Sequence, residues 1–500
     1  MKALESYTAT VTRAPWAVLG LLVAVKVGVT MAVADRYGWH RDEFYYLASS
    51  RHLALGYVDY PPITPLLARL DQSIFPGSLP GLRLLTVLAG AAVIVIAALI
   101  ARELGGGRAA QALAGLAVLI SPMFVGANIL FQTVSFDQLM WAAACLVFVR
   151  LLRGADPREW LWLGLVFGIG LETKYTILGL GIAIFVGLIA TPARRQLRSR
   201  WPWIGFGLAL LLLTPNLIWQ VGHGWDSVAY TLNHRGSTDG PVFYWVQQLL
   251  LAGPQLLPIV VMGVVWLWRR ERFRAAAVTI VAVELFFFAA GGKAYYPAPI
   301  YPLAYAAGSI WFVEAIRFSP SPARGGGSGW GRLAVAFAVV VTLVLLPIGL
   351  PILPAQAMAD SGIWKARKDF ADMYGWPDLV QQVTTVYARL PAAERNSVMI
   401  LAGNYGEAGA LDFYGRGLPP VVSAHLTYYY WAPAQMAPST VIVLGYPQDY
   451  LATFFGNIEL AGTIANSYGL HNEEYGQPIW ICRDPLVRLD QAWPTLKSLD

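Results

Sequence analysis

About eleven apolar runs, most of them close to the ~20 residues an α-helix needs to cross a bilayer, recur along the chain before residue 354. They lie near 14–34, 81–101, 109–130, 138–150, 160–173, 175–190, 201–219, 242–268, 275–291, 296–316 and 333–353. Only 13% of the 500 residues are charged, against about 25% in an ordinary soluble domain, so the chain reads as a polytopic membrane protein. The opening segment has no convincing small-residue cleavage site and is read as a retained first helix.

The net charge of +6 could suggest nucleic acid, but Lys and Arg fall at intervals between apolar runs and form no single patch. They report orientation instead. Every second connection is Arg-rich: Arg102 and Arg108; Arg150, Arg153 and Arg158; Arg194 to Arg200; Arg269 to Arg274; Arg317 to Arg332. Such loops resist translocation, so they belong to the cytoplasm. The remaining loops face outward and carry Asp42, Glu43, Asp137, Lys174, the stretch from His223 to Arg235, and Lys293. Gly325 to Ser328 read as a flexible cytoplasmic linker. Cys145 and Cys482 are too far apart in this topology to suggest a disulfide, and no Cys/His spacing resembles a zinc site.

From residue 354 hydropathy falls and short β-rich runs appear at 397–401, 421–424, 441–444, 460–464 and 479–482, with a helix opening at Asn404. The expected architecture is an all-α membrane domain over 1–353 and a C-terminal extracytoplasmic α/β domain over 354–500. The first outward loop, 35–80, is too long for a plain connection. Its Tyr, Leu and His spacing predicts one interfacial helix broken at Gly56 and a second beginning after Pro61-Pro62. Asp42 and Glu43 would then lie at headgroup depth, as a site needs if it deprotonates a hydroxyl beside a lipid-borne electrophile.

Asp42-Glu43-Phe44-Tyr45-Tyr46, with Leu53-Ala54-Leu55-Gly56-Tyr57-Val58-Asp59-Tyr60-Pro61-Pro62, resembles the first loop of bacterial relatives of the dolichyl-phosphate-mannose protein mannosyltransferases. That branch includes the lipid A aminoarabinose transferases. Ser135-Phe136-Asp137-Gln138-Leu139, Gly170 to Thr176, Thr214 to Trp219 and Lys293-Ala294-Tyr295-Tyr296-Pro297 match in order, and Asn404 to Ala408 is similar to a tail segment of many members. The resemblance implies a C-type membrane glycosyltransferase fold and a donor sugar on a polyprenyl phosphate. It also implies that Asp42 is the catalytic base, with Glu43 beside it, and that Asp137 is a second acidic residue. Lys174, Lys293, Tyr295 and Tyr296 would gather round the donor phosphate. Tyr60 departs from the pattern, since relatives often carry His or Lys there, which puts a phosphate or metal contact at that position in doubt.

The chemistry agrees. A sugar on a lipid phosphate already has a good leaving group, so one carboxylate that takes the acceptor's proton suffices. Negative charge builds on the departing phosphate, where cations and phenols in a water-poor pocket would stabilise it. Lys174, Lys293, His234 and Arg235 are the available cations. Asp59 and Tyr60 complete the donor-side candidates. Each has an ordinary alternative: a snorkelling lysine for Lys174, an aromatic-belt anchor for Lys293, a helix N-terminus for Asp137, plain surface for His234 and Arg235. Asp42 and Asp137, with Glu43 and Asp59, also offer hard oxygens for Mg²⁺ or Mn²⁺.

The expected function is inverting transfer of a sugar from a polyprenyl phosphate to an unidentified acceptor at the outer face of a bacterial inner membrane. Membrane lipids are the other expected partners, and nucleic acid is not one. The alternative is a transporter or flippase of lipid-linked sugars, which would show midplane charges and paired broken helices; the sequence shows neither.

Overall fold

The computed structural model describes residues 14–234, 240–318 and 326–499. All eleven predicted runs contain helix. In chain order these are α1 (Trp16–Met31), the loop helices α2 (Arg41–Arg51) and α3 (Ile63–Ile74), α4 (Leu79–Glu103), α5 (Arg108–Ile120), the short α6 (Pro122–Ala127), α7 (Thr133–Arg153), α8 (Glu159–Leu171) and α9 (Ile177–Ile189). Then follow α10 (Trp201–Gly222), α11 (Asp226–Asn233), α12 (Pro241–Ala252), α13 (Leu257–Arg269), α14 (Arg274–Ala289), α15 (Tyr301–Phe318) and α16 (Gly326–Gly349). Among the described residues four helices are long and apolar enough to cross singly, or up to six spans if each of two bent pairs counts as one.

Three expectations change. The run 242–268 is not one helix: α12 and α13 meet at 77°. Pro254 lacks the N–H a continuous helix would use, and Gly253 turns at φ +95°. The carbonyls freed by this break are satisfied inside the protein: Tyr305 donates to Ala252 O at 2.6 Å and Ser121 to Leu251 O at 3.2 Å. The other bent pair, α9 with the 3-10 helix Pro192–Arg198, turns at the Arg-rich end. Of the expected linker, Gly325 lies outside the described residues, and Gly326 to Ser328 begin α16. The first loop helix ends at Arg51, short of Gly56, whereas α3 begins directly after Pro62 as expected.

Two helix pairs cross with backbones touching. A β-carbon on Gly164 of α8 would sit 2.1 Å from the Gly205 carbonyl oxygen of α10, and one on Gly308 of α15 would sit 1.9 Å from Ile259 O of α13. Small residues at such crossings replace the hydrophobic driving force that lipid cannot supply. Alternation of the helices puts the Arg-rich connections at one end, where Arg153 pairs with Glu103 at 2.8 Å and Arg270 with Glu314 at 3.3 Å. The loops bearing the candidate site residues emerge at the other.

The tail is a five-stranded sheet in the order β2-β1-β3-β5-β4. β1 (Val398–Ala402), β2 (Val421–Ser423) and β3 (Thr440–Leu444) are parallel, and β4 (Phe455–Thr463) and β5 (Pro478–Pro485) are antiparallel additions. Four strands fall where the sequence placed them; β4 starts five residues earlier than expected, at Phe455. The first strand follows helices between Ala355 and Arg395, and the tail packs directly on the first loop. Phe44, Tyr45 and Leu47 of α2 share one core with Trp376, Ile400, Leu411 and Ile442 of the tail. On the opposite side of the loop Leu53, Leu55, Leu66 and Leu70 are each about half exposed, an apolar rim suited to the interface.

Candidate active site

His40 caps α2: its Nδ1 accepts the Asp42 N–H at 3.2 Å, while Glu43 accepts the His40 N–H at 2.8 Å, the reciprocal arrangement of a capping box. The two adjacent carboxylates therefore point to different environments. Glu43 is fully buried and accepts from Arg83 through Nε at 2.8 Å and Nη2 at 2.7 Å, and from the Phe131 N–H at 2.9 Å. Arg83 in turn donates to Ala34 O and, at 2.8 Å, to Gly38 O. This pair clamps the first loop to α4 and to the α6–α7 connection.

Asp42 keeps a third of its side-chain surface exposed. Its Oδ1 accepts from the Tyr405 hydroxyl at 2.7 Å. Among the described residues no donor reaches Oδ2: His40 Nδ1 is 3.9 Å away and already accepts a backbone N–H. Beside it Tyr45 donates to Asp59 Oδ1 at 3.0 Å and accepts the Thr427 N–H at 3.0 Å. Burial pushes the Asp59 carboxyl up to about 7, against the Tyr45 hydrogen bond.

The α8–α9 and α14–α15 connections bring the cations. Lys174 Nζ lies 4.9 Å from the ring centroid of Tyr295 and 5.3 Å from that of Tyr296. Lys293 is exposed; desolvation and the Lys174 charge lower its pKa while Asp42 acts in the opposite direction, so the three charges lie within electrostatic reach. Burial and then Asp42 raise the pKa of Tyr295. Asp137 is buried at the start of α7, where Oδ1 accepts from Trp141 Nε1 at 3.0 Å and Oδ2 from the Thr176 hydroxyl at 2.8 Å. It holds the α8–α9 connection in place and thereby Lys174.

Residues 59–219 match the family model described as dolichyl-phosphate-mannose-protein mannosyltransferase. The structure of ArnT from Cupriavidus metallidurans bound to undecaprenyl phosphate superposes with a TM-score of 0.59 at 14% identity, over 94% of this chain and 98% of that one. Its apo form gives 0.61 at 17% identity, over 93% and 97%. The chain has the C-type membrane glycosyltransferase fold. The archaeal oligosaccharyltransferase AglB from Archaeoglobus fulgidus, in complex with an inhibitory peptide and a dolichol-phosphate, gives 0.53 at 11% identity, over 86% and 69%. A search of curated protein sequences gives no match.

Within this C-type fold the expected site residues divide. Asp42, Asp59, Asp137, Lys174, Lys293, Tyr295 and Tyr296 come together at one end of the helices. Glu43 does not share the open position of Asp42, because four hydrogen bonds engage its two oxygens. Tyr60 is 3% exposed and shares a hydrogen bond with the Ser49 hydroxyl at 2.6 Å; it packs among Tyr45, Tyr46 and Tyr57 and offers nothing to a phosphate. His234 turns back on its own helix, with Nδ1 2.9 Å from Tyr230 O. Arg235 lies outside the described residues. Asp137 has both oxygens engaged, and among the described residues no group of three or more His, Cys, Asp or Glu side chains could hold an ion.

Sequence reasoning missed two residues. Arg83 is the one charge in the run 81–101, and a charge inside an apolar span is itself a signal. Tyr405 lay in a segment singled out by resemblance, yet nothing local tied it to Asp42, 363 positions away.

Asp59 and Glu407 set a pH dependence. Asp59 titrates near 7, and burial pushes Glu407 up to about 8, with the charge of Glu474 adding to it. Both values lie above those of the unfolded chain, so the native state holds protons the unfolded state releases near pH 4. Stability contributed by these groups is complete below that point and falls as pH rises through about 7 to 8. Thermal unfolding in detergent should give a lower Tm at about pH 8.5 than at about pH 6, with a smaller difference in Asp59→Asn. A Tm that rises across this window contradicts the assignment.

Proposed function

We propose that this chain is a membrane glycosyltransferase that moves a sugar from a polyprenyl phosphate to an acceptor hydroxyl at the outer face of a bacterial inner membrane. Asp42 acts as general base. The observation that carries this reading is that a carboxylate with an open oxygen, two lysines and two phenols lie at one end of the helices. In the step proposed, the acceptor oxygen attacks the anomeric carbon and its proton passes to Asp42 Oδ2. The bond from that carbon to the phosphate oxygen breaks, and the electron pair leaves with the phosphate. A single displacement inverts the anomeric centre. Lys174 and Lys293 receive the charge of the leaving phosphate, and the hydroxyls of Tyr295 and Tyr296 can donate to its oxygens. The Arg-rich connections at the opposite end support the outward placement of these residues.

The test is incubation of the purified protein with a panel of tritiated synthetic undecaprenyl-phosphate sugars and envelope extract as acceptor. Label transferred from at least one donor, with release of undecaprenyl phosphate, is expected. Failure across the panel overturns the reading. Replacing either lysine with alanine removes a charge-assisted contact of about 1.5–3 kcal/mol. Lys174→Ala or Lys293→Ala should therefore weaken binding of undecaprenyl phosphate by about tenfold or more. Unchanged affinity in both variants removes them from the phosphate site.

A further inference from the structure

The tail reaches the open carboxylate directly. β1 ends at Ala402, and Asn404 caps the following helix, Tyr405–Tyr414, by accepting the N–H groups of Gly406 at 2.8 Å and Glu407 at 3.0 Å. Tyr405 is the first residue of that helix. Its ring stacks with those of Tyr45, centroids 4.6 Å apart, and His425, at 5.2 Å. Its N–H donates to His425 Nδ1 at 3.3 Å. The Arg41 guanidinium sits 5.0 Å from the ring centroid and is itself held by Glu473 and, at 3.7 Å, by Glu474. Held by these partners, the Tyr405 hydroxyl has one destination: Asp42 Oδ1.

A second arm works in parallel. Thr427 accepts the Val58 N–H through its hydroxyl at 3.0 Å and donates its own N–H to Tyr45, the phenol that binds Asp59. The tail thus holds Asp42 directly through Tyr405, and Asp59 indirectly through Thr427 and the loop's own Tyr45.

We propose that Tyr405 is the positioning residue of the base and that the tail is an obligatory part of the transfer site. This rests on Asp42 being the base. The Tyr405 hydroxyl engages Oδ1 and fixes the carboxylate plane, which leaves Oδ2 directed at the incoming acceptor. Tyr405 keeps its own proton throughout. Base catalysis depends on that alignment, since a displacement of about 1 Å in a reacting group can cost on the order of 10²-fold.

Tyr405→Phe retains the ring stack and deletes only the hydroxyl. With the panel donor that the wild type turns over fastest, kcat should fall about tenfold or more while KM for the donor and the Tm in detergent stay unchanged. Placed in an Asp42→Asn background, the same change should have no further effect on the residual rate, because the group it orients is gone. Full kcat in Tyr405→Phe overturns the proposal. So does an equal fractional loss in both backgrounds, which is what a purely structural hydroxyl would give. If Asp42→Asn itself keeps wild-type turnover, the base assignment fails and the proposal fails with it. An inactive Asp42→Asn beside a fully active Tyr405→Phe refutes the positioning role alone.

Discussion

Arg83→Ala should destabilise the folded protein by about 3–5 kcal/mol, because it leaves the Glu43 carboxylate buried without its counter-charge. Glu43 is fully buried and Arg83 is 1% exposed, so water cannot replace either partner without opening the loop. The loss would spread. Arg83→Ala also takes a bond from Ala34 O and Gly38 O, and removal of Glu43 takes one from the N–H groups of His40 and Phe131, so either change leaves two backbone groups as well as the charged partner without a bond. Glu43→Ala should behave in the same way from the other side. Thermal unfolding in detergent, read by intrinsic fluorescence, measures both. A Tm within a degree or two of the wild type in either variant would show that the clamp does not hold the loop.

Asp42→Asn carries the largest expected effect on activity. The amide is nearly isosteric, and its oxygen can still accept from Tyr405. The atom that then faces the acceptor is an NH₂ group, which donates hydrogen bonds and cannot take a proton. Removal of a positioned general base costs on the order of 10²-fold or more in kcat. Because Lys174 and Lys293 remain, donor affinity should survive; a split of this kind marks a group that acts in the transition state and not in binding. A variant that loses donor affinity and keeps kcat would place Asp42 in the binding site instead.

How far the sequence reached follows the range of the signals it carries. Membrane helices and strands are local features of hydropathy, and those segments were found, together with the start of α3 after Pro62 and the cap at Asn404. The break at Gly253-Pro254 was equally local and was overlooked because a 27-residue apolar run outweighs two residues in a window average. The pairing of Asp42 with Glu43 misled for a different reason. Neighbours on a helix point about 100° apart, so adjacency in the chain separates side chains instead of joining them. Tyr60 looked like a departure at a ligand position, whereas its hydroxyl is bonded to Ser49 inside an aromatic core. Contacts such as Glu43–Arg83 and Asp42–Tyr405 join segments 40 and 363 residues apart, and no periodicity or spacing reports them.

The central claim is that Asp42 takes the proton of the acceptor while the lipid phosphate rests on the cations opposite. The most direct measurement is a single-turnover experiment with saturating undecaprenyl-phosphate sugar, following release of undecaprenyl phosphate in wild type and Asp42→Asn, with donor binding measured separately on the same samples. Equal donor affinity with release slowed on the order of 10²-fold or more is the predicted result. Release at the wild-type rate from Asp42→Asn would contradict it.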